Sequence, residues 1–400
     1  MTAVLNEKTT SSRSIILQEG WRVFFMAAGI YAVVALGVWL VWASGLADLP
    51  FAPAPIAWHA HEMVFGFAFA AIAGFFLTAV PNWTGARPAS ARVITLLAGL
   101  WLAGRVAVWF AMVLPGWLVA LVDLVFLPVL AATMLTQLLV RPKPQNLMFL
   151  GLLTLAWVAN LLVHLDWIGL AGTEAQGIRG GLLTVCAMIA ILGGRVTPAF
   201  TRNALLRVNP GAAVPVSRPR IDMAGIVLAL RTALLATVNA PAALTGAVAV
   251  VAGLAALLRL SGWRPLDTLR DPIVWTMHAS YLFLGLGLLG WGLSLLGLGS
   301  EIAGLHLLGV GAVGGMTLSI MSRASLGHSG RPIRASAPLI WGYVLLPVAA
   351  GLRWAASTWP EMFHFVGTVG AGALWVLAFA LFLVALWPVW TTPRARGGAR

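Results

Sequence analysis

Charge is scarce in this chain of 400 residues: 9% of it is charged, against 60% hydrophobic. A soluble domain carries about 25% charged residues. A water-covered globule is therefore excluded, and lipid is the solvent. Cysteine is scarcer still, with Cys186 the only one. That excludes a disulfide framework, an iron–sulfur cluster and a Cys-x-x-Cys-His haem attachment, so any haem would be held non-covalently. The first twenty residues lack the apolar core of a cleavable signal, which predicts that the first span is its own insertion signal. Period-2 alternation is lacking too, which leaves helices rather than a barrel to satisfy the backbone in lipid.

What is present is a series of apolar runs of about 20 residues, each long enough to cross a bilayer as a helix. Twelve are recognisable, the first near 23–43 and the last near 363–387; the seventh and eighth are barely separated by Asn239-Ala240-Pro241. The reading is an all-α polytopic membrane protein of about twelve transmembrane helices. The chain, 1–400, reads as a single transmembrane domain. The longest loop, 201–220, holds Pro210, Gly211, Pro215 and Pro219. It is predicted to join two six-helix halves, 1–200 and 221–390. Trp58-x-x-His61 and Trp275-x-x-His278 each open a span, an echo of the sort that inverted repeats leave.

The net charge of +13 would suggest nucleic acid in a soluble protein. Here the basic residues mark topology instead, and no nucleic-acid partner is expected. Lys8, Arg13 and Arg22 precede the first span; Arg87, Arg92, Arg141, Lys143, Arg202, Arg207, Arg218 and Arg220 follow even-numbered ones. So do Arg259, Arg264, Arg270, Arg323, Arg331, Arg334, Arg394, Arg396 and Arg400, whereas the opposite loops hold only Arg179. The positive-inside rule then puts both termini in the cytoplasm, with membrane lipid around the spans.

That topology gives each histidine a depth. His59, His61, His164, His306 and His364 fall at the outer ends of spans, whereas His278 and His328 fall on the inner side. Ionisable groups inside a span are costly and mark function by default. The densest cluster is Trp58-His59-Ala60-His61-Glu62-Met63 at the head of the second span. On a helix His59 and His61 point about 200° apart, so each faces its own partner unless the segment after Pro55 is unwound. Unwound, two imidazoles and the Met63 thioether would suit copper. His364, beside Glu361, reads as an ordinary interfacial residue. Arg105 is expected to pair with Asp123. Arg195 and Arg323 lie at the depth of His278, where guanidinium forks could hold haem propionates, an anionic substrate or a lipid phosphate. Gly66, Ala70 and Gly74 form a small-residue stripe that lets another backbone, or a flat macrocycle, approach. Gly309-Val-Gly311-Ala-Val-Gly314 lacks the strand that a dinucleotide fingerprint needs and is not read as one.

The segments Trp58-His-Ala-His-Glu-Met-Val-Phe-Gly-Phe67 and Ala73-Gly-Phe-Phe-Leu-Thr-Ala-Val-Pro-Asn-Trp-Thr-Gly85 resemble the signature of NnrS proteins. So do Gly193-Gly-Arg-Val-Thr-Pro-Ala-Phe-Thr-Arg-Asn203, Trp275-Thr-Met-His-Ala-Ser-Tyr281 and the stretch from His306 to Arg331. The resemblance implies a multi-pass protein of the bacterial inner membrane, carrying haem b and copper, with a place in nitric oxide metabolism, denitrification and nitrosative-stress defence. It marks His59, His61, His278, His306, His328 and Arg195, together with His164 in Asn160-Leu-Leu-Val-His164. Ala199 departs mildly from the aromatic residue common at that point of the motif.

Three functions compete. In the first, haem binds or reduces nitric oxide, as in a haem-dependent nitric oxide reductase. Glu62 would relay a proton, His61 with His306 would form an outer haem pocket, and His278 with His328 an inner one. His59 and Met63 are the copper candidates, and electrons would come from a quinol or a redox partner. In the second, a twelve-helix transporter moves a metal ion or small anion. In the third, a sensor or assembly factor binds haem without turnover.

Overall fold

The computed structural model describes residues 15–49 and 54–395. Twelve helical rods run back and forth through it: α1 (Gly20–Ala43), α2 (Pro55–Thr84), α3 (Ala91–Trp109), α4 (Gly116–Leu138), α5 (Pro144–Trp167), α6 (Glu174–Val208), α7 (Pro219–Thr237), α8 (Ala242–Ser261), α9 (Pro272–Leu295), α10 (Glu301–His328), α11 (Ala337–Thr358) and α12 (Pro360–Thr391). No strand occurs among the described residues. Eleven of the twelve rods are long and apolar enough to cross a membrane. The exception is α7, which carries Arg220, Asp222 and Arg231 within 19 residues.

Local sequence sets the ends of the rods. Proline stands in the first turn of α2, α5, α7, α9, α11 and α12, where its missing N–H costs no hydrogen bond and its fixed φ suits a helix. Ser90 and Ser300 cap α3 and α10 by accepting from Val93 N and Ala303 N. Gly85 ends α2 at φ +73°, a left-handed conformation that glycine adopts without steric cost.

Breaks inside the rods matter more for the site. Pro128 has no N–H to give the carbonyl of Leu124, and α4 is interrupted at Val125. The indole of Trp157 donates to that carbonyl instead, at 3.1 Å. Three rods also widen into π-helical turns, at Glu62–Ala68 in α2, Ile189–Gly193 in α6 and Leu307–Gly314 in α10. Such turns free backbone groups and recur at functional sites. In α6 the carbonyl of Ala190 accepts from Arg259 Nη1 at 2.8 Å. Arg259 is buried in the last turn of α8 and also meets Asp222 and the Tyr281 hydroxyl.

The last rod returns to the first and closes the bundle. Trp375 of α12 donates to the carbonyl of Ala32 in α1. A methyl built on Gly372 would strike Leu40, and one on Gly29 would strike Phe382 and Leu383, so these glycines allow α1 and α12 to lie close. Arg22 fastens the other end, donating to the carbonyls of Val389, Trp390 and Thr392 at the end of α12. The stripe of Gly66, Ala70 and Gly74 on α2 is filled by α1: Cβ atoms on the two glycines would lie 2.6 Å from Tyr31 and 2.8 Å from Phe25.

Candidate functional site

Two polar centres lie side by side at the end of the bundle away from the termini. They share helix α2, which feeds one through His59 and Met63 and the other through His61 and Glu62. The segment after Pro55 is helical from its first turn, so the two histidines diverge as a regular helix requires.

The first centre is a cavity of about 350 Å³ between α1, α2, α6, α10, α11 and α12. His59, Met63, His306 and Arg353 line it, together with the π turns of α2 and α10. His59 stacks on Trp39, ring centroids 4.5 Å apart, and its Nδ1 has no hydrogen-bond partner among the described residues. His306 Nδ1 lies 2.8 Å from the carbonyl of Ile302. A carbonyl can only accept, so Nδ1 carries the proton and Nε2 keeps its lone pair, the arrangement that orients a ligating histidine. Arg353 lines the same cavity as both imidazoles. The cavity's own ion pair is Arg179 with Glu301, at 2.7 Å. Gly309 of the glycine run has nothing within 4 Å of a built Cβ and faces the cavity, whereas Gly311 and Gly314 accommodate Phe283 and Trp375.

The second centre is a buried network drawn from α1 to α5. Arg105 donates to Glu62 Oε1 at 2.6 Å and to Asp123 Oδ1. Tyr31 donates to Glu62 Oε2. His61 Nδ1 lies 2.8 Å from Glu62 Oε1, and its Nε2 lies 2.8 Å from Asn160 Oδ1 and 3.3 Å from Asp123 Oδ2. Asn160 and His164 both reach Asp123 Oδ2, at 2.8 and 2.9 Å. His61, Glu62, Arg105, Asp123, Asn160 and His164 are all 6% exposed or less. Two carboxylates against one guanidinium would leave a buried charge unmatched, and the neighbouring imidazoles and hydroxyl are the groups that can share protons with them. His61, Asp123 and His164 present one ligand atom each within 4.8 Å of one another, a two-histidine, one-carboxylate set of the kind that holds a divalent metal.

The NnrS protein family profile matches residues 15–394, nearly the whole chain. The chain belongs to the NnrS family. No curated protein matches it.

The motif residues of this NnrS chain do not converge on one place. His59, Met63 and His306 come together in the cavity. His61 is not at that cavity; it joins Glu62 and His164 in the network. His278 and His328 have separate neighbours: His278 Nε2 meets Thr201 Oγ1 at 2.8 Å with its Nδ1 buried and unpartnered, and His328 lies against Trp21. Arg323 stacks over Phe200 at 3.6 Å. Arg195 is exposed on α6, as is His364 on α12. Sequence reasoning missed Arg353, Tyr31 and Asn160. Arg353 was visible as a lone cation in the eleventh apolar run; the two neutral residues carried no such signal.

Proposed function

We propose that this NnrS-family protein is a multi-pass protein of the bacterial inner membrane that binds haem b in the α2–α10 cavity and there binds and reduces nitric oxide. Copper is the second metal, and the physiological setting is nitric oxide metabolism and nitrosative-stress defence. The observation that carries the reading is the donor set of the cavity: His59, His306 and Met63 on one wall-to-wall space, with imidazole nitrogens not used by the protein. Imidazole and thioether are the axial ligands of b- and c-type haems and also suit copper. Trp39, Phe67 and Trp375 offer flat apolar walls. Among the described residues Arg353 has no carboxylate partner and can take a propionate, whereas Arg179 is already held by Glu301.

Haem, when bound, supplies an iron that takes diatomic gases and passes electrons. The chain's own groups do the rest. The Ile302 carbonyl holds His306 in the tautomer with Nε2 free. Reductive coupling of two nitric oxide molecules to nitrous oxide and water takes up two electrons and two protons. Glu62 stands next to the cavity residue Met63 and touches Tyr31, Arg105 and His61. It is placed to pass a proton between the network and the cavity side of α2.

Haem and metal content of the purified protein tests the reading. A Soret band and bound iron are expected, both reduced in His59→Ala and His306→Ala at unchanged expression. A colourless, iron-free protein would sink it and leave transport of a metal ion or small anion as the better account of the same cavity.

A further inference from the structure

Charge and lone pairs do not balance in the buried network when both of its imidazoles are neutral. Glu62 and Asp123 then face one guanidinium, Arg105, and one negative charge is in excess. Such an excess is costly in an apolar span. His61 locates it. The ionised Glu62 carboxylate can only accept, so the ring proton lies on Nδ1, 2.8 Å from Oε1, and Nε2 keeps its lone pair. That lone pair meets Asn160 Oδ1 at 2.8 Å and Asp123 Oδ2 at 3.3 Å. Asn160 donates through Nδ2 to Asp123 Oδ2, which leaves its oxygen as the atom turned to His61. Electron-pair donors from α2, α4 and α5 thus converge on one point, where a cation belongs: a second proton on His61, or a metal ion.

We propose that a divalent transition-metal ion sits among His61 Nε2, His164 Nε2 and Asp123 Oδ2, with Asn160 Oδ1 as a fourth donor. The spacing suits one. Metal bonds of about 2.0–2.2 Å hold neighbouring ligand atoms roughly 2.8–3.5 Å apart. His164 Nε2 lies 2.9 Å from Asp123 Oδ2, which joins the two distances at His61 Nε2 in that range. The outer contacts are those that orient metal ligands: Glu62 holds His61 through Nδ1, and Arg105 holds Asp123 through Oδ1, which leaves Oδ2 for the ion. The backbone serves the same end. His61 closes the regular first segment of α2 before its π turn, Asp123 stands just ahead of the break in α4, and Asn160 and His164 are one turn apart on α5. Trp167 and Phe65 pack against the His61 ring at 4.9 and 5.0 Å, and the four donor residues are 3% exposed or less, so water is kept out. Two nitrogens, two oxygens and no sulfur suit zinc, iron(II) or copper(II), whereas copper(I) favours thioether or thiolate. The inference rests on the reading that the protein holds a metal besides haem, and it places that metal in the network instead of beside Met63.

The full-length protein in detergent, stripped with a chelator and reloaded with zinc alone, gives the test. Elemental analysis after dialysis is expected to find one equivalent of zinc per chain. X-ray absorption at the zinc edge should show nitrogen and oxygen neighbours with imidazole scattering and no sulfur. His164→Ala and Asp123→Asn should lose the retained zinc, with helicity as the control for folding. Glu62→Gln leaves all four donors in place and should weaken zinc binding by about 10–100-fold, the scale of a lost outer partner; it carries the test if a ligand variant does not fold. Met63→Leu should retain the zinc. A parent protein that keeps no zinc would overturn the proposal and leave a proton on His61 as the cation. Retention unchanged in His164→Ala or Glu62→Gln, a sulfur neighbour, or loss in Met63→Leu would overturn it as well. Zinc retention without a Soret band would overturn the haem reading alone, and a Soret band without zinc retention would overturn only this one.

Discussion

Arg105 Nη1 lies 2.6 Å from Glu62 Oε1, and the same guanidinium reaches Asp123 with its other nitrogen. One cation on α3 thus ties together carboxylates from α2 and α4. Removing one member of a buried pair costs about 3–5 kcal/mol, because the remaining charge has no water to turn to.

Glu62→Gln is therefore expected to do two things. The amide keeps the shape and can still accept from Tyr31, so the fold persists with a lower unfolding temperature. Proton transfer through the side chain ends, and nitric oxide consumption should fall by about a hundredfold or more, the usual scale for a lost acid–base group. The Soret band should stay. Turnover equal to the parent, measured with an electrode under reducing conditions, would remove Glu62 from the proton path.

Gly66→Ala probes the same network through packing alone. A methyl there would sit 2.6 Å from the Tyr31 ring and 3.1 Å from Arg105 Nη1. Overpacking of this kind costs about 1–3 kcal/mol, and here it also pushes both donors off Glu62. The variant is expected to be destabilised and to lose turnover together with Glu62→Gln, in a double-mutant cycle that is not additive. Additive losses would show that Gly66 serves only the contact between α1 and α2.

The two histidine sets should also separate by metal. His306→Ala removes a cavity ligand and is expected to lower haem. His164→Ala removes one ligand of the His61–Asp123–His164 set and is expected to leave haem intact while lowering any non-haem metal measured by elemental analysis. Loss of haem in His164→Ala, with helicity unchanged, would place the two centres in one cofactor site.

How far the sequence reaches is shown by these same residues. Helical rods were legible because apolar length alone decides them in lipid. Even α7 was found as a helix, though its three charges keep it from the composition of a span. The divergence of His59 from His61 followed from helix geometry, and the Arg105–Asp123 pair from matching depth in neighbouring rods. Depth is only one coordinate, however. His278 and His328 were read at one depth yet meet different partners, because rotation about each helix axis is set by tertiary packing. Tyr31 and Asn160 complete the network without bearing charge, so nothing in their local sequence set them apart. The π turns were equally hidden; in α6 the Ala190 carbonyl accepts from Arg259, which reads from sequence as a loop residue but is buried at the end of α8.

Arg353 provides the sharpest test of what the cavity holds. It lies in α11, lines the same cavity as His59 and His306, and among the described residues its one side-chain partner is Ser357. A cation in an apolar span without a protein counter-ion is costly, so its retention beside two imidazoles points to an anionic group on the cavity's occupant. Haem brings two carboxylates; a bare copper ion brings none and would be repelled. Arg353→Gln should therefore weaken haem retention roughly tenfold, the scale of one charge-assisted hydrogen bond, seen as faster loss of the Soret band to a haem-scavenging protein. If copper alone occupies the cavity, the same change should leave metal retention unchanged or raise it, because a repelling charge has been removed. The direction of the change distinguishes the two occupants in a single variant.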